Sequence, residues 1–247
     1  MSKKILLSFL FLHSLFSWGQ FRYRKPNKSK GKIAIAEKLD TVMSVFKKHH
    51  IKKEDFEVLF VIYKDENKLV VFGKNWYDLY YQKLLSYEIC FQSGQLGPKK
   101  RGDDYQIPEG FYQVESLNTR SDYYISLGIN YPNLADKRKN KTCDLYANVA
   151  IQGGCFSVGS ISMTDDIIKT LYILALVTRQ NGFRIPIFIF PFKMTKQNML
   201  KHADLYQDNN ELLKFWINLM LGYQKFAKTQ GEIKYFISKK GDYVFKP

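Results

Sequence analysis

The stretch VAIQGGCFSVGSISMTDD, residues 149–166, sets Gly153, Gly154 and Gly159 around Cys155, Ser157 and Ser160, between an apolar run and a helix start. A glycine-rich turn between an apolar run and a helix start is a common way to present a nucleophile. The stretch contains no histidine. A thiol or hydroxyl here therefore has no imidazole beside it in sequence to take its proton.

Downstream of the turn, Thr164 is placed as N-cap with Asp165 and Asp166 in the first turn of a buried helix that stops near Gly182. FRIPIFIFPF reads as a strand, and MTKQNMLKHA opens a short helix. NNELLKFWINLMLGYQKFAKT puts Leu212, Leu213, Trp216, Leu219, Met220, Tyr223 and Phe226 on one broad face of a long helix. A hairpin turning at Lys240 and Gly241 ends the chain. Upstream, strands are expected over 111–114, 123–127 and 148–151, and the β-branched and aromatic run from Phe56 reads as a β-meander. SGQLGPKKRGDDYQIPEG, residues 93–110, is a long loop of the kind that carries ligand contacts. An amphipathic helix is expected over about 33–49, preceded by a basic arm over 20–32 that Pro26 and Gly31 interrupt.

The chain opens MSKKILLSFLFLHSLFSWGQ, with two lysines, an apolar run and small residues at cleavage spacing. This reads as an export signal cleaved before about Gln20, the run being shorter than the roughly 20 apolar residues a membrane span needs. The net charge of +15 falls by two when Lys3 and Lys4 leave with the signal, and the remainder is drawn to polyanions, with a membrane surface within reach of the basic arm. No nucleic-acid motif is present. Three cysteines, Cys90, Cys143 and Cys155, allow at most one internal disulfide, and their pairing cannot be read from sequence. No metal-ligand spacing exists, so neither metal nor cofactor is expected.

Four separated stretches, YEICFQSGQLGPKKRGDDYQIPEGFYQV, SDYYISLGINYPNLAD, AIQGGCFSVGSISMTDD and FPFKMTKQNMLKHA, resemble in this order the YkuD-type L,D-transpeptidases, in their exported murein branch. The resemblance implies an α+β fold. A mostly β catalytic domain over 56–194 follows a signal (1–19) and an arm with a helix (20–55), and a helical extension with a C-terminal hairpin (195–247) ends it. It implies a cysteine thiolate that attacks the stem peptide of peptidoglycan, activated by a histidine, with turn N–H groups holding the oxyanion. In this chain the histidine position holds Gln152 and the cysteine position Ser160. Where the family usually has arginine, the SDYY segment has Asp122, and Arg120 lies two residues earlier.

A glutamine amide does not titrate in the useful range, and an unassisted hydroxyl is a far poorer nucleophile than a thiolate. The expected function is thus an exported, periplasmic or envelope-associated, catalytically impaired relative. It would bind peptidoglycan stem peptides, or a protein that processes the cell wall, through Gly153, Gly154, Ser157, Gly159, Lys99, Asp122 and Tyr123. The alternative is an active peptidoglycan acyltransferase or amidase, with Cys155 as a displaced nucleophile or with Ser160 served by Lys99, Lys100 or Lys169. A third class is a structural or regulatory module with a vestigial cleft.

Overall fold

The structure is a computed structural model that describes residues 29–246. The expected export signal and the basic arm up to residue 28 lie outside the described residues. Helix α1 (Lys30–Lys48) begins three residues earlier than its apolar spacing suggests. Ser29 caps it, and Gly31 packs so closely that a Cβ there would stand 2.9 Å from Thr119 and Tyr172.

Strands β1 (Phe56–Tyr63), β2 (Lys68–Asn75) and β3 (Gln82–Glu88) form the expected antiparallel meander. There follow β4 (Phe91–Gln92), β5 (Gly110–Asn118), β6 (Ser126–Ile129), α2 (Leu134–Lys139), β7 (Ala150–Gln152), β8 (Ile161–Ser162), α3 (Asp165–Gln180) and β9 (Pro186–Phe190). The chain ends with α4 (Lys196–Leu205), α5 (Asn210–Thr229) and the hairpin β10 (Tyr235–Ile237) and β11 (Tyr243–Phe245), which turns at Gly241 with φ +87°. Among the described residues, nine strands join in one mixed sheet of order β3-β2-β1-β9-β5-β6-β7-β8-β4, with β1–β9 and β7–β8 parallel.

Period-two alternation divides the core between the two faces of this sheet. From β1, Val58, Phe60 and Ile62 enter the cluster shared with α1 and α3, while Leu59, Val61 and Tyr63 enter the one shared with α5 and the hairpin. Strand β9 divides likewise, Ile187 and Ile189 to one side and Phe188 and Phe190 to the other. A strand buried on both faces reads as a continuous apolar run, which is what FEVLFVIY and PIFIF are. Among the described residues no helix is long and apolar enough to cross a membrane.

Three expected boundaries are corrected. The strand placed over 123–127 begins at Ser126, because Tyr124 turns the chain at φ +68°. The one placed over 148–151 is Ala150–Gln152. The one placed over 111–114 runs on to Asn118 through a bulge that keeps it paired with β6.

Helix α2 was not expected. Its Asn133 side chain accepts the N–H of Ala135 and Asp136 while Asp136 accepts the Asn133 N–H, a reciprocal cap. Burial raises the Asp136 carboxyl to about 7, against the hydrogen bonds from Asn133 and the Tyr112 hydroxyl. A raised carboxyl binds its proton more tightly in the fold than in the unfolded chain. Its contribution is therefore complete below the ordinary carboxylate range and is lost as pH rises to about 7. Asp136→Asn should flatten the fall in thermal midpoint across that window, measured by circular dichroism, and an unchanged slope would exclude Asp136 as its source.

Candidate functional site

Strand β7 carries Gln152 out of the sheet into the glycine turn, and β8 brings the chain back beside it, with Gln152 opposite Ser162. Ser160 directly precedes β8, and its hydroxyl reaches β7 at Ala150, two residues before Gln152. Gln152 is buried, and its Nε2 donates to the Phe156 carbonyl at 3.1 Å, an oxygen that the Ser162 hydroxyl also reaches. The Gln152 amide therefore ties down the turn.

Ser160 is buried too, and its hydroxyl accepts the Ala150 N–H at 3.2 Å and donates to the Asn148 carbonyl at 3.4 Å. Among the described residues no titratable group is hydrogen-bonded to it. Lys99 comes near, its Nζ 3.7 Å from where a Cβ on Gly159 would stand. That ammonium is ion-paired with Asp104 at 2.7 Å and donates to the Gly102 carbonyl at 3.1 Å. Burial pushes the Asp104 carboxyl up, but hydrogen bonds from Lys99 and from the N–H groups of Arg101, Lys100 and Gln106 outweigh it and hold the group below its ordinary value. Lys169 pairs with Glu37 at 2.5 Å, across α3 and α1.

The turn's N–H donors are largely engaged. Gly154 donates to Asp165 Oδ1 at 3.0 Å, Gly159 to the Ser93 hydroxyl at 2.7 Å, and Ser160 to the Ser157 hydroxyl at 2.8 Å. Gly153 donates to the Ile125 carbonyl at 3.0 Å, so the N–H groups of all three glycines, expected to face a ligand, have internal partners. Asp165 and Ser93 did not stand out in sequence, although an aspartate directly after an N-cap threonine sits in the first turn of α3, where it can reach back to the turn.

Cys155 does not act as a displaced nucleophile in this structure, because it is joined to Cys90 by a disulfide, Cα to Cα 5.2 Å, and that sulfur carries no thiolate. The pairing of β4 with β8 brings the two together: Phe91 lies opposite Ser162, and the Cys90 N–H bonds the Ser162 carbonyl at 2.8 Å. Cys143 is exposed and unpaired.

A cleft of about 520 Å³ opens beside Gln152, and Arg120, Asp122, Tyr123, Tyr146 and Asn148 are among the residues lining it. The structure thus gathers Gln152, Asp122 and Tyr123 at one opening, with Gly153, Gly154, Cys155, Ser157, Gly159 and Ser160 in the adjoining turn and Lys99 behind it. A larger groove of about 1290 Å³ lies between loop 93–110 and α5, and of the expected site residues only Lys100, a candidate base for Ser160, lines it.

No family model matches the chain. Over 174 residues it is 36% identical to the protein named "Putative L,D-transpeptidase YafK" of Escherichia coli strain K12, covering 68% of this chain and 66% of that one, and the O157:H7 counterpart gives the same figures. The match thus takes in just under two thirds of the relative's length. Two solved structures are looser likenesses. The helical cell shape determining protein Pgp2 of Campylobacter jejuni has a TM-score of 0.45 and 17% identity over 74% of this chain and 73% of its own. Bd1075 of Bdellovibrio bacteriovorus has a TM-score of 0.40 and 21% identity over 78% of each. At those scores the two carry no weight for function. With four motif stretches in order, a mixed sheet with helices on it, and a 36% identical relative, the chain belongs to the YkuD-like L,D-transpeptidase family.

Proposed function

We propose that this protein is exported to the cell envelope and binds peptidoglycan, or a protein that processes it, through the cleft beside Gln152 without turning the polymer over. The observation that carries this reading is the bonding of the two replaced positions. The Gln152 amide is spent on the Phe156 carbonyl, and the Ser160 hydroxyl sits between the Ala150 N–H and the Asn148 carbonyl. A serine becomes a nucleophile through a base within hydrogen-bond reach, and the partners of the Ser160 hydroxyl are backbone groups alone. The chain keeps the scaffold that displays the site while its proton-transfer groups are replaced. Cleft residues with both donors and acceptors, Arg120, Asp122 and Asn148, suit a polar ligand of the wall.

The test incubates purified protein with muropeptides and, separately, with isolated sacculi. The expected result is retention on sacculi with no change in muropeptide masses. A covalent adduct on Ser160 or Cys155, or product formation abolished by Ser160→Ala, would establish an active acyltransferase or amidase instead. Failure to bind sacculi would leave the cleft vestigial.

A further inference from the structure

We propose that the cleft continues outward as a row of three aromatic rings that holds the sugar rings of a glycan strand, an inference that rests on the cell-wall reading above and names the part of the polymer recognised. Tyr123 and Phe91 each neighbour Phe156, with ring centroids 6.4 Å from it and planes within 18° and 9° of parallel. All three are far more exposed than core aromatics of this chain, at 40%, 55% and 44%. Exposed rings held in register are more informative than scattered ones, since aromatic side chains are otherwise mostly withdrawn from water.

The register is built into the fold. Phe91 and Phe156 each directly follow a cysteine of the Cys90–Cys155 disulfide, so one covalent clip fixes the backbone of both. Tyr123 stands at the other end of the row and also lines the cleft, which joins the two features into one continuous surface.

The chemistry of the surface points to a saccharide. A pyranose ring has an apolar face of C–H groups and a polar rim of hydroxyl and acetamido groups. The face packs on an aromatic ring, and the rim needs planar donors and acceptors alongside. Arg120, Asp122 and Asn148 supply those at the inner end of the row. A membrane surface fits less well, because Asp122 and Asp165 border the row where an anionic bilayer would require cations. A bare stem peptide lacks the repeated apolar faces that a row of rings would match.

The probe is tetra-N-acetylchitotetraose, titrated into the full-length protein by calorimetry. The native protein is expected to bind it. Phe156→Ala and Tyr123→Ala should each weaken binding about three- to tenfold, the range of a stacked aromatic contact, with thermal midpoint unchanged. Phe91→Ala, at the outer end of the row, provides a further arm should Phe156→Ala disturb the turn. Equal affinity in native protein and all three variants overturns the proposal, as does absence of binding by the native protein. If the native protein is retained on sacculi but ignores the tetrasaccharide, the aromatic row fails as a glycan site and the cell-wall reading stands. If it binds neither, both fail.

Discussion

A chain carrying Gln152→His and Ser160→Cys together is expected to be acylated at residue 160 by a thiol-reactive β-lactam at least about 10²-fold faster than the native chain, the lower end of what a positioned general base supplies. Gln152 lies in β7 opposite Ser162, and the Ser160 hydroxyl meets the same strand at Ala150, so an imidazole at 152 and a thiol at 160 would occupy neighbouring positions of the β7–β8 pair. The single variants should not add up to the double. Histidine alone would face a hydroxyl already bonded to backbone, and cysteine alone would be mostly protonated at neutral pH, because a nucleophile and its base act as a unit. Intact-protein mass, followed by peptide mapping to separate residue 160 from Cys143, reads the outcome. A double variant as inert as the native chain, with an unchanged thermal midpoint, would refute the idea that these two replacements alone account for impairment. It would move the block to Asp122 in the cleft or to the turn N–H groups held by Asp165 and Ser93.

How far the sequence reveals this arrangement depends on whether a feature is local. The meander, the capped helix after the turn and the apolar face of α5 follow from periodicity and capping, and all are present. The strand over 123–127 was misplaced because Tyr124 takes a left-handed conformation that tyrosine does not advertise. Around it the Lys30 and Lys169 ammonium groups lie 5.7 and 5.6 Å from its ring, contacts that only the packing of α1 on α3 creates. The cap of α2 is legible as Asn133 followed three residues later by Asp136, inside one of the stretches that carry the family resemblance. The disulfide joins residues 65 apart and is decided by the two-residue pairing of β4 with β8, for which no local pattern exists. The same is true of Ser93, whose hydroxyl meets Gly159 across 66 positions. The family's motif therefore located the turn, while the disulfide and the Ser93 bond that hold it are long-range.

Lys64→Met is expected to destabilise the protein by about 3–5 kcal/mol, a large part of the roughly 5–15 kcal/mol that holds a domain of ordinary stability. Lys64 is fully buried at the end of β1, where its Nζ donates to the carbonyls of Gly97 and Ile107 at 2.9 and 3.0 Å and to Glu109 Oε1 at 2.9 Å. Burial pushes the lysine's pKa down, and Glu109 opposes that shift. Glu109 also accepts the Gly97 N–H at 2.6 Å and, through its other oxygen, the indole N–H of Trp216 at 2.9 Å. Methionine has similar reach but no donor, so it would leave a buried carboxylate without its cation and two buried carbonyls without partners. Adding Glu109→Gln should recover part of the loss, since a neutral amide needs no counter-charge and can still accept one of the two N–H groups. Urea unfolding of both variants measures this, and a loss below about 1 kcal/mol for Lys64→Met would show that the buried pair contributes no more than a surface one. The damage should also reach the cleft. Lys64 and Glu109 clamp both ends of loop 93–110, which carries Ser93 to Gly159 and Lys99 to Asp104, so amide hydrogens over 95–107 should exchange faster at residual native conditions while those of β1 and β9 stay protected.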